Sequence, residues 1–516
     1  MSKFDVIVIG GGHNGLTTAA LLAGKGEKVI VLEKRDRLGG LGASEEFHPG
    51  YKTAGLLHDT SCVCAGLIKK LRLKKYGLQT TGRRAAVSLF SDDGRAIILH
   101  SDIDESVNSI SRFSQGDALG YRNYRLFIDA MSSWIDTLMK EPQPSIANCG
   151  GSDIRRLIAG ALRLRLMGQK RMLELLKIIP MSVADFLNEQ FETDFLKAGM
   201  AFPSILASFY GPLSAYTTMN LILWESMAKE HVIGGPVQLV GALENAAREN
   251  GVEIRSNAEV INIELNHSGE VIGVVLSSGD QIRAPIIAAS CSPKQVFLRL
   301  LASNKVGVRL ESEISHLRAR GTIAKVNLAL CKKVQWKSQP EIPVEYGRLA
   351  NDLIEMEMAS DAIKYGRFSE KPILDIYVPT VSNQDLAPAG HEVVSILAQY
   401  VPYSLDGGWT DFLKNEVGDM VVDRLAECAV NLKESIVARE VLTPQDIESR
   451  YSIPGGHVLH IEHAIDQLIG RPVPGCAQYK TPVPGLFLCG SGSHPGGGLT
   501  GIPGVLASKA ILSGNL

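Results

Sequence analysis

FDVIVIGGGHNGLTTAALLAGKGEKVIVLEKRDRLGG, residues 4–40, decides the fold of this 516-residue chain. Val6, Ile7, Val8 and Ile9 form a continuous apolar run, the pattern of a parallel strand buried on both faces. Gly10, Gly12 and Gly15 follow with GxGxxG spacing. The first permits a tight turn, the second lets backbone approach a pyrophosphate, and the third packs helix against strand. A helix is predicted from about Asn14 to Lys25, with His13 and Asn14 at the end that faces the anion. Lys28 to Leu32 read as the second strand. Glu33 then stands 18 residues after Gly15, where a carboxylate binds adenosine ribose and repels a 2′-phosphate, which disfavours NADP. Lys34 adjoins it.

Arg37, Gly39 and Gly40 extend the motif. Two adjacent glycines allow a second close pass of backbone along an extended dinucleotide. An RxGG turn just after the ribose acid resembles the FAD-binding glutathione-reductase-like superfamily. Its amine oxidases usually carry arginine after these glycines, whereas Leu41 stands here.

A net charge of -2 gives no reason to expect nucleic acid, and 45% hydrophobic with 21% charged residues is an ordinary soluble composition. No apolar run reaches the roughly 18 residues of a membrane span. The first strand begins at Phe4, so no N-terminal targeting segment is expected and a reduced, cytoplasmic setting fits. Of eight cysteines, Cys62 and Cys64 are the close pair, spaced CxC rather than as a redox CxxC, and no metal site is expected.

Residues 41–80 read as irregular, with Tyr51, His58 and the two cysteines in a loop near the flavin. Residues 86–90 and 95–100 flank an Asp93-Gly94 hairpin turn. Residues 102–230 are helical in period. Within them, 154–180 carries Arg155, Arg156, Arg163, Arg165, Lys170, Arg171 and Lys177 against the single acid Glu174, with leucine, isoleucine and methionine between. Such a helix fits either an anionic membrane surface or a bundle with a solvated face. After a helix between Pro236 and Asn250, residues 252–264, 271–276 and 281–289 read as strands; residues 258–289 resemble the second cofactor segment of the glutathione-reductase-like superfamily, which implies that the strand near Val260 meets adenine through backbone atoms. Strands at 325–330, 373–378 and 393–400, then helices over 410–439, suggest a separate substrate domain.

Leu486 to Cys489 form a last short strand that runs into GSGSHPGGGLTGIPG, residues 490–504. Too little chain follows for an independent NAD domain. The strand therefore completes the first sheet, and the glycines let backbone lie against an isoalloxazine ring. Cofactor contacts are expected at Gly490, Ser491, Gly497, Gly498, Leu499 and Ile502, with Pro503 starting the final helix. The helix N-terminus would favour negative charge on the reduced ring.

The N-terminal segment and GLFLCGSGSHPGGGLTGIPG together resemble phytoene desaturase-like flavoproteins. PGGHVLHIEHAIDQLIGRPVPG at 454–475 and MSVADFLNEQFETDFLKA at 181–198 resemble the branch of carotenoid ketolases and pyridine nucleotide-disulfide oxidoreductase domain-containing protein 2. Many superfamily members bind ribitol through an aspartate where Ser491 stands.

The resemblance implies a glutathione-reductase-like α/β FAD-binding Rossmann domain, discontinuous in sequence, made of 1–80, 231–295 and 480–516. An α+β substrate domain would comprise 81–230 and 296–479. It further implies FAD as cofactor and an apolar isoprenoid or polyene that is desaturated, ketolated or isomerised. An amine oxidase-type flavoenzyme and a non-catalytic flavin-stabilised binding protein are the alternatives. The residues themselves assign no catalytic acid or base, since His58, His457, His460, His463 and His494 are each as well read as structural. The sequence is compatible with an oligomer and does not specify one.

Overall fold

The computed structural model describes residues 3–145, 149–302, 306–338 and 343–514. A five-stranded, all-parallel sheet gathers strands from distant parts of the chain in the order Leu486–Leu488, Ile286–Ala289, Val6–Ile9, Val29–Leu32, Glu253–Arg255. Val6–Ile9 lies at its centre, with Val6 opposite Val29 on one side and Ile286 on the other. Side chains alternate in destination as strand geometry requires. Val6, Val8, Val29 and Val31 pack on Leu16, Ala19 and Ala20 of the helix His13–Ala23 and on Leu506 and Ala507 of the helix Ile502–Gly514. Ile7, Ile9, Ile30 and Leu32 pack on Val271, Val274 and Phe297 on the other face. Full burial of each such side chain stabilises the fold by about 1.5–3 kcal/mol.

The glycines act as their spacing predicts. Gly10 has φ +96°, and a Cβ on Gly15 would lie 2.0 Å from the Gly10 carbonyl oxygen, so helix and strand could not approach with any larger residue there.

Residues 252–264 do not form one strand. Asn257 adopts φ 53°, a left-handed turn that asparagine tolerates, and divides Glu253–Arg255 in the parallel sheet from Val260–Leu265. The latter joins Val271–Leu276 and Gln281–Arg283 in a small antiparallel sheet. Residues 410–439 also divide: the helix Asp411–Ala426 and a short turn Leu432–Ser435 give way to the strand Ile436–Leu442. That segment pairs with the fully buried Ile323–Leu330, and this tertiary partner overrides its local pattern.

A seven-stranded sheet stands beside the first, ordered Ile436–Leu442, Ile323–Leu330, Glu392–Gln399, Ile373–Tyr377, Tyr346–Leu349, Val87–Phe90, Ala96–Leu99. The Asp-Gly hairpin forms the last two strands. Tyr346–Leu349 and the helix Leu353–Lys364 were not foreseen from periodicity.

Helices from Ile103–Ser111 to Thr217–Met227 follow the Ala96–Leu99 strand and precede Glu253–Arg255 in sequence. The basic stretch 154–180 is two helices, Gly151–Leu166 and Gln169–Ile178, broken where Gly168 takes φ +94°. Asp153 is the single buried residue of the first helix. Ile154, Leu157, Ile158, Leu162 and Leu166 are exposed, Leu166 by 75%, as are Leu173 and Leu176 of the second. No helix among the described residues is long and apolar enough to cross a membrane.

Candidate cofactor and substrate site

Of two neighbouring cavities, the first lies at the C-terminal ends of the central parallel strands, where open α/β sheets bind ligands. The first is lined by Gly10, Gly12, His13, Asn14, Glu33, Lys34, Gly40, Val260 and Ser491, all predicted from sequence. Arg35, Ser292 and Tyr451, which sequence reasoning missed, also line it, as do Leu41 and His460, which the sequence singled out without assigning them to the cofactor. The second cavity is lined by predicted residues Gly498 and Leu499, together with His58, Trp224, Tyr346, Arg348 and Asp375. Leu57 lines both.

Several predicted residues stand behind the walls. Arg37 pairs with Asp36 at 2.8 Å on the surface, Gly39 packs on Val240, and Gly490 abuts the Ser290 carbonyl. Gly15 and Ile502 lie in the packing of the first sheet. Gly497 is fitted against Leu459, and its N–H donates to His463 Nε2 at 3.1 Å. The glycine run is thus matched to protein as well as left clear of side chains. A Cβ on Gly498 would meet the Trp224 indole at 2.7 Å, and Trp224 itself stacks on His463 at 5.8 Å.

Glu33 accepts from the Gly11 N–H at 2.7 Å and from the Arg35 N–H at 2.9 Å, which fixes its carboxylate at the strand end. Asn14 donates to Ser491 Oγ at 3.2 Å and so joins the two terminal motifs across the cavity. Arg471, fully buried, donates to the carbonyls of Leu459, Ile461 and Ser491 and ties the histidine-bearing loop to the last strand.

The first cavity has the polar surface a dinucleotide needs. His13 Nε2, Asn14 Oδ1, Ser292 Oγ and His460 Nδ1 are all buried without a hydrogen-bond partner. Leaving such groups unpaired costs about 1–3 kcal/mol each, and a phosphate- and hydroxyl-rich ligand satisfies them. Burial pushes His13 down to about 4 and His460 to about 3, so both are neutral and can donate or accept. The Cβ position of Gly12 meets nothing nearer than the Gly40 Cα at 3.9 Å, which leaves room for pyrophosphate over the helix N-terminus. The residues present fit FAD.

The second cavity holds a polar cluster that no sequence motif announced. His58 Nε2 lies 2.8 Å from Asp375 Oδ2, and Arg348 Nε is 3.4 Å from the other carboxylate oxygen. Lys325, only 1% exposed, donates to the Leu56 carbonyl at 2.9 Å and lies 3.4 Å from His58 Nδ1. Burial drives Lys325 down to about 7 and also lowers His58, whose charged form Lys325 further disfavours. The signal was present in the sequence: Lys325 interrupts the apolar run IAKVNLAL and Asp375 interrupts ILDIY. On the other wall Glu225 takes both Arg84 and Arg125, at 2.7 and 2.5 Å.

The model of the NAD(P)-binding Rossmann-like domain family matches residues 8–61. Pyridine nucleotide-disulfide oxidoreductase domain-containing protein 2 of Rattus norvegicus is 31% identical over 99% of this chain and 93% of its own length. A chain of the limonene dehydrogenase of Castellaniella defragrans is 28% identical, covering 99% and 95%. The neurosporene-forming phytoene desaturase of Rhodobacter capsulatus is 23% identical, covering 98% and 93%. Among solved structures, cyclohexylamine oxidase from Brevibacterium oxydans superposes with TM-score 0.58 at 15% identity over 99% of this chain and 98% of its own, a likeness of fold. Full-length similarity and a cavity fitted to FAD agree: the chain belongs to the phytoene desaturase-like family of FAD-dependent oxidoreductases, in the branch of pyridine nucleotide-disulfide oxidoreductase domain-containing protein 2.

Proposed function

We propose that this FAD-dependent oxidoreductase withdraws hydride from an apolar isoprenoid or polyene. The observation that carries the reading is Leu57, which lines both the dinucleotide cavity and a neighbouring cavity walled also by Val87, Leu99, Met200, Phe202 and Leu206. Limonene dehydrogenase and phytoene desaturase, by their names, act on isoprenoids, which supports the substrate class. FAD, when bound, supplies the hydride acceptor. The chain excludes water with the apolar wall, orients the substrate, and offers Lys325 with the His58–Asp375 pair as the group able to hold or release a proton near neutrality.

The exposed helix pair supports a peripheral place at an anionic membrane surface. Its apolar residues would enter the headgroup boundary. Arg155, Arg163, Arg165, Lys170 and Arg171, exposed along the same helices, would meet anionic lipid, each adding about 1 kcal/mol. Apolar substrate dissolved in that membrane would then lie close at hand.

The test is anaerobic mixing of the FAD-loaded protein with panels of isoprenoids, polyenes and amines. Bleaching of the visible flavin band by an isoprenoid or polyene is expected. Bleaching by amines alone would replace the reading with an amine oxidase.

A further inference from the structure

The second cavity contains more unmet hydrogen-bonding capacity than a hydrocarbon can use. Glu230 lines it, is 9% exposed, and its Oε2 has no partner. Tyr124 lines it, is 2% exposed, and its hydroxyl has no partner either. The Tyr346 ring, on the same lining, stacks on Tyr377 with centres 4.7 Å apart. Elsewhere in the cavity polar groups are paired: Arg84 with Glu225 and Tyr121, and His58 with Asp375. Glu230 and Tyr124 are therefore exceptions within a lining that otherwise satisfies itself, and buried polar groups in native proteins are rarely left so.

Resting on the isoprenoid reading above, we infer that the substrate carries a hydroxyl or similar oxygen function, which donates to Glu230 and accepts from Tyr124. The open Glu230 oxygen is an acceptor site, and a tyrosine kept neutral donates; burial raises Tyr124 well above the usual range, so it keeps its proton. A hydroxyl is the smallest function that satisfies both kinds of partner. A hydrocarbon in the same place would seal these groups from water without replacing its hydrogen bonds. Sites built to hydrogen-bond a hydroxyl discriminate strongly against the analogue lacking it.

The experiment is equilibrium dialysis of the FAD-loaded protein against three matched alcohol and hydrocarbon pairs: a monoterpene, a C20 isoprenoid and a straight chain. Each alcohol that binds is expected to do so at least tenfold more tightly than its hydrocarbon. Tyr124→Phe and Glu230→Leu should each reduce that ratio to about threefold or less, with FAD content unchanged. Tyr124→Phe removes only an unpaired oxygen and so guards against misfolding as the explanation. Equal binding of alcohol and hydrocarbon in any pair, or a ratio untouched in both variants, overturns the inference. Binding confined to the straight-chain pair with the alcohol preferred upholds it while overturning the isoprenoid reading. No binding by any member overturns both.

Discussion

Glu33 joins local geometry to cofactor retention. Both its oxygens already accept backbone N–H groups, from Gly11 and Arg35. In Glu33→Gln the side-chain amide would turn a donor toward one of those donors and remove the charge offered to ribose. FAD retention after dialysis should weaken by about 1.5–3 kcal/mol. Full flavin occupancy would contradict the ribose role. Lys325 gives a prediction of opposite sign. Its folded value, about 7, lies below the 10.5 of the free side chain. Between those limits the unfolded chain binds a proton that the folded chain does not, so stability rises with pH across that window. Below about 7 the full cost of the buried cation is present. Lys325→Met should therefore raise the thermal midpoint at neutral pH, by a stability gain on the order of a few kcal/mol before the lost bond to Leu56 is deducted. The advantage should shrink as pH approaches 10.5, and a pH-independent difference would contradict the assignment.

At the scale of elements, legibility followed periodicity and failed where a partner decided. The first strand, glycine turn and helix were readable because each glycine answers a local requirement, as the φ of Gly10 shows. The strand Ile436–Leu442 was not, because its reason is the neighbouring buried strand. Much of the cavity wall was similarly hidden: Arg35, Ser292 and Tyr451 converge from segments over 400 residues apart in sequence. Lys325 and Asp375 were visible as charges within apolar strands but gained meaning only when the sheet set them on either side of His58. The basic helices were ambiguous in sequence, and the fold carries both features: Leu175 and Ile178 pack into the helical core, whereas Leu157, Ile158, Leu162 and Leu166 face outward. The FAD-loaded protein should co-sediment with vesicles containing anionic phospholipid and be released by high salt. A triple variant, Leu157→Ser with Ile158→Ser and Leu162→Ser, should lose most of that binding with its flavin intact. Vesicle binding unaltered in the variant, or none in the wild type, would contradict the membrane reading.

In the whole molecule, strands from residues 6–9, 29–32, 253–255, 286–289 and 486–488 close one sheet, and the Asn14–Ser491 contact joins the two glycine motifs over a single cavity. The chain's remote segments are thus committed to one cofactor, and the seven-stranded sheet and helices supply the adjoining chamber. The central claim is that a carbon–hydrogen bond of a substrate in that chamber delivers its hydride to FAD. The most direct measurement is rapid anaerobic mixing of the FAD-loaded protein with an isoprenoid that bleaches it, prepared with deuterium or protium at the carbon to be oxidised. Flavin bleaching slowed severalfold by deuterium, with oxidised isoprenoid formed in equal amount to reduced flavin, is the predicted result. Bleaching at an unchanged rate without oxidised isoprenoid would contradict the account.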